Sequence, residues 1–432
     1  MPAGLEINLA PEVLGEGSPE ERAAFGLFSI CAGPLTLTEG FDSFIGALRA
    51  GPLVSGYHAA EWFGWNWWRL LYEPYSPRSA DWWRAHKMTA IGEGYVWPNI
   101  TFRTDGVRAA ILSEPSVNPE AKPFRYLGAS PWVGPTSLLE DAIRAFFTRI
   151  AHRLDERGIR DSNFQRVLAD LISERRDSEM MERRRLEALL GYDPDEVDES
   201  VIQTLLTDAA QFGTAAIDEL AADAAGGVPL NAGRLRTIAS YEGVEARPGD
   251  AAKLAQNDLA DALDQPAAWQ QGRRAAIALR LKERLGASPI STARLAQLLG
   301  TSAVRRGPTG GKSPLSFLLD EGTGQTRVVL RSRWDTGRRF EMARLLGDHL
   351  LFGADATLLP ATRAYTFRQK AQRSFAAEFL SPFEAIEDML QGDFSQEAIE
   401  EVAEHFEVST MTVETLLRNH GLIEREPMAD AA

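Results

Sequence analysis

The sequence predicts an α+β protein that is mainly helical. Three observations carry this reading. From residue 137 onward, apolar residues recur mostly at three- and four-residue steps, the period of an amphipathic helix. Strand-like alternations are short and few, at residues 24–31, 95–103, 107–112, 315–319 and 326–331. A hydrophobic content of 44% beside 25% charged residues is that of a folded soluble chain.

Bulk properties narrow the function classes. The 432 residues exceed one ordinary core and imply about two to four domains. A net charge of -15 argues against a protein that coats nucleic acid over its whole surface. The Arg-rich pieces at 182–185 and 331–339 read as solvated faces and ion pairs. A single cysteine, Cys31, excludes an internal disulfide and a multi-thiolate zinc site. The first ten residues lack the basic start and apolar run of a signal peptide. No stretch approaches the roughly 18 apolar residues of a membrane span, so a cytoplasmic location and no membrane partner are expected.

Taken in order, residues 1–150 read as a Trp-rich mixed α/β domain. The alternations at 95–103 and 107–112 are joined by Thr104, Asp105 and Gly106, and Asp-Gly is a strong hairpin signal. Ser55 is placed to cap a helix from His58 to about Tyr72, which Pro74 stops. Seven of the ten tryptophans lie between Trp62 and Trp97. Trp62, Trp65 and Trp68, three residues apart, either cover one buried helix face or offer a stacking platform to a nucleobase or a cation. His58 and His86 lie in the same region. Read without a carboxylate or second histidine at ligand spacing, each is a packed or hydrogen-bonded histidine, with catalysis the alternative. These five residues are the candidate ligand or partner site of the N-terminal part.

Residues 151–250 read as a helical spacer that ends in a linker. Leu138, Leu139, Ile143, Phe146, Phe147 and Ile150 repeat at helical spacing up to a stop at Gly158. Residues 164–188 and 201–222 continue as two further helices on either side of Gly191 to Pro194. This charged helical stretch, 137–222, is a candidate for packing against a second copy of the chain. The Gly- and Pro-rich text at 225–249 reads as a boundary.

The last third is the most informative. Residues 257–286 are helical, and Ser291 to Gly300 is a short capped helix ending in glycine. Gly307 to Ser313 imitates a phosphate loop, but it is one residue short before Gly311-Lys312-Ser313 and follows a short charged stretch. A plain loop is expected there. Residues 315–319 and 326–331 flank a turn at Glu321 to Gly324 as a β-hairpin. Arg338 to Phe352 then forms an amphipathic helix with Phe340, Ala343, Leu346, Gly347 and Leu350 on one face.

The order helix, short helix, hairpin, and then Arg339, Phe340, Ala343, Gly347 and Leu350 resembles the ImmA/IrrE family of bacterial metallopeptidases. The next helix extends the match with Ala371, Phe375, Ala376, Ala377, Leu380 and Pro382, so the resemblance covers roughly residues 255–425. It implies a peptidase-like domain over 251–425 with a helix-turn-helix-like close. In that family the first helix carries two zinc-binding histidines and a general-base glutamate, and the second helix carries a third ligand. Here those positions hold Arg344, Leu345, Asp348 and Arg368.

That replacement removes the chemistry. Zinc proteolysis needs two imidazoles one turn apart, a third ligand, and a base beside the metal-bound water. Arginine offers no lone pair and leucine accepts no proton. His349 has Leu345 and Gly353 as its four-residue neighbours, so it has no chelating partner on its helix. No metal, no cofactor and no catalytic residue is expected. Arg344 and Asp348, one turn apart, are instead expected to pair, with Arg368 approaching from the next helix and the three tying the helices together. Two arginines against one aspartate leave positive charge, so an anion site is the alternative.

The tail at about 396–421 has two readings. Its second helix carries a single arginine and follows an acidic helix, which favours a packing element over a helix that reads DNA bases. Residues 426–432 are expected to be a disordered tail. The functional expectation is a non-catalytic regulatory protein on an inactivated ImmA/IrrE-type frame. Relatives that cleave repressors in stress response, mobile-element or phage control and toxin–antitoxin settings imply a protein partner of that kind. Two alternatives stay open: a DNA-binding transcriptional regulator acting through the tail, and an enzyme whose site lies in the Trp-rich part.

Overall fold

The computed structural model describes residues 4–118, 120, 122–224, 227–301, 313–320, 326–353 and 356–423. Among them the chain is mainly helical α+β, with four small antiparallel sheets. Residues 307–312 of the imitated phosphate loop, the turn at 321–324 and the tail at 426–432 lie outside the described residues. Two compact units emerge, one of residues 4–202 and 227, the other of 203–224 and 228–423. The stretch expected as a spacer, 151–250, is therefore shared between them. No helix among the described residues is long and apolar enough to cross a membrane.

In the first unit, β1 (Leu5–Pro11) leads to α1 (Pro19–Ala23), closed by a capping box between Ser18 and Glu21. The strand β2 (Phe25–Ala32) pairs antiparallel with β1 from Leu5↔Ala32 to Pro11↔Gly26. Leu5, Ile7 and Leu9 alternate into the same core as Phe28 and Ile30. Short strands β3 (Leu35–Thr36), β4 (Gly40–Asp42), β5 (Ala47–Arg49) and β6 (Leu53–Ser55) follow.

The helix expected from Ser55 onward is two helices, α2 (Gly56–Trp65) and α3 (Trp67–Tyr72). Asn66 divides them: at φ -96° and ψ 9° it leaves the helical region, and its side chain donates to the Trp62 carbonyl. Ser55 precedes α2 but does not cap it through its hydroxyl, which donates to the Glu21 carbonyl instead. After α4 (Ala80–His86), β7 (Ile100–Thr104) and β8 (Arg108–Ser113) form the expected hairpin. Its turn is built by Asp105, whose Oδ1 accepts from the Val107 and Arg108 amides, and by Gly106 at φ +91°. Two more strands, β9 (Phe124–Tyr126) and β10 (Ala129–Pro135), lead into α5 (Thr136–Glu156).

The apolar face of α5 (Leu139, Ile143, Phe146, Phe147, Ile150) is buried in this core. The pattern over 164–188 is broken into α6 (Asn163–Glu174) and α7 (Ser178–Leu189), because Asp177 caps the second by accepting from the Glu179 and Met180 amides.

The chain passes through α8 (Glu199–Phe212) into the second unit, where α9 (Thr214–Ala224) buries Ala216, Ile217, Leu220 and Ala221. The Gly- and Pro-rich stretch expected as a boundary contains α10 (Ala232–Glu242) and β11 (Val244–Ala246), a true strand of the sheet. The helical text at 257–286 resolves into α11 (Gln256–Leu263) and α12 (Ala268–Lys282). Ser291 caps α13 (Thr292–Leu298) as expected, accepting from the Arg294 amide. The hairpin strands are β12 (Ser316–Asp320) and β13 (Thr326–Val329).

The long helix is α14 (Asp335–Phe352), followed by β14 (Leu358–Ala361) and α15 (Phe367–Leu380). The sheet runs β11-β13-β12-β14. The tail is α16 (Phe383–Leu390), α17 (Gln396–Phe406) and α18 (Thr410–Asn419). Helices α12, α14 and α15 form the centre of this core. Their close approach depends on two glycines, since a Cβ on Gly347 would stand 2.7 Å from the Phe375 ring and one on Gly272 2.2 Å from the Ala371 carbonyl oxygen. Arg339 is buried and structural, its guanidinium donating to the Thr292 hydroxyl and to the carbonyls of Ile290 and Glu407.

Candidate functional site

The positions singled out on the long helix come together inside the second unit. Of the 18 residues of α14, thirteen are buried, and these include Arg344, Leu345, Asp348 and His349. Such a helix is polar at positions where a buried helix is normally apolar, so each polar group must find a partner within the fold.

Asp348 finds Arg368. Nε donates to Oδ1 and Nη2 to Oδ2, each at 2.7 Å, with Asp348 at 0% exposure and Arg368 at 8%. This is the bidentate fork in which both carboxylate oxygens and two guanidinium donors are used at once. Burial pulls the Arg368 pKa down, and the adjacent Asp348 carboxylate more than offsets it, so the net direction is upward.

Arg344 does not join them. It was expected to pair with Asp348 one turn away, but both oxygens of Asp348 are taken. Its Nη2 donates instead to the Thr362 carbonyl at 2.7 Å, to Gln372 Oε1 at 3.2 Å and to Gln369 Oε1. The expected three-membered cluster is therefore one ion pair beside a buried arginine held by neutral acceptors of its own. Burial, reinforced by the like charge of Arg373, pushes the Arg344 pKa down to about 9, which still leaves it cationic at neutral pH. Its Nε has no acceptor among the described residues.

The two glutamines explain how a cation is tolerated there. Gln369 and Gln372, both at 0% exposure, each donate through Nε2 to the Pro360 carbonyl at 3.0 Å and turn Oε1 toward Arg344. Gln369 Oε1 also accepts from the Thr362 amide at 2.9 Å, so α15 clamps the end of β14. Leu345 lies in the apolar core at 0% exposure.

One further carboxylate lies at the pair, and the sequence did not disclose it. Glu219 of α9 accepts from the hydroxyl of Thr366, the residue that caps α15, at 2.7 Å. Burial raises its pKa to about 7, against the lowering influence of Thr366 and Arg368. No local signal in the sequence links residue 219 to residues 348 and 368, because the contact depends on α9 folding into the second unit. Among the described residues, no group of three or more His, Cys, Asp or Glu is arranged to hold a metal ion.

The Trp-rich candidates fall out differently. Trp62 and Trp68 are buried, their indole N–H groups donating to the Arg84 carbonyl and to Glu174 Oε2. Trp65 is 53% exposed, because the helix ends at that residue and the shared face ends with it. His86 is fully buried, stacked on Trp82 at 4.2 Å, with Nδ1 2.9 Å from the Trp82 carbonyl oxygen, and burial lowers its pKa to about 3. It is a neutral packed histidine.

The expectation that neither histidine has a carboxylate fails for both: His86 Nδ1 lies 3.7 Å from Glu73 Oε2, and two carboxylates flank His58. His58 Nε2 lies 3.0 Å from Glu21 Oε1 and its Nδ1 lies 3.8 Å from Glu61 Oε2. Burial opposes its charge, but Glu61 and Glu21 together raise its pKa. Glu61, three residues on, was legible as an i, i+3 partner; Glu21 was not.

Neither the family models, nor the curated proteins, nor the solved structures include a match to this chain.

Proposed function

We propose that the protein is a non-catalytic regulatory protein that binds a protein partner, built on an ImmA/IrrE-type peptidase frame whose metal position has become a structural joint. The observation that carries the reading is the Asp348–Arg368 fork. It occupies two of the positions that the resemblance assigns to metal ligands and uses every oxygen of the one carboxylate there. Arg344 and Leu345, at the other two, offer neither a metal ligand nor a base. A cytoplasmic role in repressor, mobile-element or toxin–antitoxin control belongs to the same proposal.

Two measurements test it. Metal analysis of the purified chain, with a proteolysis assay in added zinc, is expected to show no stoichiometric metal and no cleavage. One tightly held zinc per chain, with zinc-dependent cleavage, would overturn the non-catalytic reading. The frame is tested by rebuilding the ligand set as Arg344→His, Leu345→Glu, Asp348→His and Arg368→Glu together. A folded quadruple variant is expected to bind one zinc with tetrahedral-type coordination; folding without zinc binding would remove the peptidase frame. The DNA reading gains no support from α18, whose single arginine, Arg418, is tied to Glu414 at 2.9 Å.

A further inference from the structure

Between Arg373 and Arg418 the chain contains no lysine or arginine, yet it carries eleven aspartates and glutamates. Nine of the eleven are exposed, spread over α16, α17 and the turns that follow them. A surface this one-sided repels nucleic acid and attracts cations.

One end of that surface is concave. Where the last turn of α17 meets the first turn of α14, a groove of about 570 Å³ opens. Buried Met342, Ala403 and Val408 contribute its apolar lining, and exposed Asp335, Glu404 and Glu407 contribute carboxylates. Two buried arginines, Arg338 and Arg339, also border it; Arg338 is engaged within the fold, and the donors of Arg339 are spent on Thr292, Ile290 and Glu407. Asp335 and Glu404 make no ion pair among the described residues.

We propose that this groove docks a basic segment of a partner protein. A lysine or arginine side chain lays its methylenes over Met342, Ala403 and Val408 and places its charge between Asp335 and Glu404. Long basic side chains are suited to such a site because they carry an apolar stem and a charged head. An acidic or neutral segment would desolvate the carboxylates without pairing them. The inference rests on the reading of the protein as a partner-binding one and names the chemistry of that partner.

The test titrates the full chain with a labelled peptide of alternating lysine and leucine, with the same peptide carrying glutamate for lysine, and with a short DNA duplex. Asp335→Lys and Glu404→Lys change the groove. Glu6→Lys, on an exposed position of β1, makes the same charge change far along the chain. All three positions are exposed, and circular dichroism checks that the variants fold. Binding of the Lys/Leu peptide alone is expected, weakened roughly tenfold by either groove variant and unchanged by Glu6→Lys. Equal weakening by Glu6→Lys would reduce the effect to net charge and overturn the proposal, as would preference for DNA or indifference to Glu404→Lys. Zinc-dependent cleavage would overturn the earlier reading without touching these titrations. A failed titration in a zinc-free, inactive protein would remove only the groove.

Discussion

Arg368 holds Asp348 by two parallel hydrogen bonds of 2.7 Å, and the carboxylate so held is wholly shielded from solvent. The fork sets both the separation and the rotation of α14 against α15, because neither plane can turn without losing a bond. Its energetic signature is asymmetric. Asp348→Ala strands a buried cation and is expected to destabilise the second unit by about 3–5 kcal/mol, with Arg368→Met comparable. The double change Asp348→Leu with Arg368→Met strands nothing and should cost far less than the sum. Urea unfolding of the three variants, followed by a probe in the second unit, measures this; additive losses would show that the two residues are not coupled.

Gly347 offers a prediction whose sign is diagnostic. On an exposed helix, Gly→Ala would add about 1 kcal/mol of stability through helix propensity. Here the new methyl would stand 2.7 Å from the Phe375 ring, inside any allowed contact. Overpacking of that kind costs about 1–3 kcal/mol, so Gly347→Ala is expected to lower the melting temperature. Combining it with Phe375→Leu, which frees the space, should recover part of the loss. A stabilising Gly347→Ala would mean that the helices are not in this contact.

What could be seen in the sequence was set by range. The hairpin at Asp105-Gly106 was legible because its turn is made by neighbours: one carboxylate and two amides within three residues. Ser291 as a helix cap was legible for the same reason. Periodicity alone joined α2 to α3 and α6 to α7, since it carries no sign that Asn66 and Asp177 turn their side chains on the backbone. At the candidate site the positions were legible and the partners were not. Asp348 had an arginine one turn away on its own helix and another twenty residues on. Only the packing of α15 decided for Arg368, and only Gln369, Gln372 and Thr362 made the other arginine tolerable.

His58 ties α1 to α2 through Glu21 and has Glu61 as a second neighbour. Its folded pKa lies above the ordinary 6.5, so the folded chain holds the proton more tightly than the unfolded one. The stabilisation is fully present below pH 6.5 and is lost as pH rises through the raised value. Melting of the first unit between pH 6 and 9, at about 0.1 M salt, should therefore decline in the wild type. Glu21→Gln should flatten that decline, and a decline of the same size in His58→Gln would assign it to another group.

Glu219 predicts a pH dependence in the second unit. It is buried beside Asp348, whose two oxygens already claim Arg368, and the hydroxyl of Thr366 that donates to it is neutral. Its pKa moves from 4.5 to about 7, so the folded state binds a proton that the unfolded state releases earlier. The stabilisation from the protonated carboxyl is complete below pH 4.5 and disappears as pH rises through about 7. Above that pH the second unit carries an ionised buried carboxylate, at a cost of order 3 kcal/mol from the linkage relation. Glu219→Gln keeps the acceptor for Thr366 and removes the charge. It should match the wild type near pH 5, exceed it near pH 8, and shift the hydrogen-exchange protection of α9 in the same direction. Equal stability of the two proteins across that range would place the ionised carboxylate in a better-compensated setting than its contacts with Thr366 and Arg368 provide.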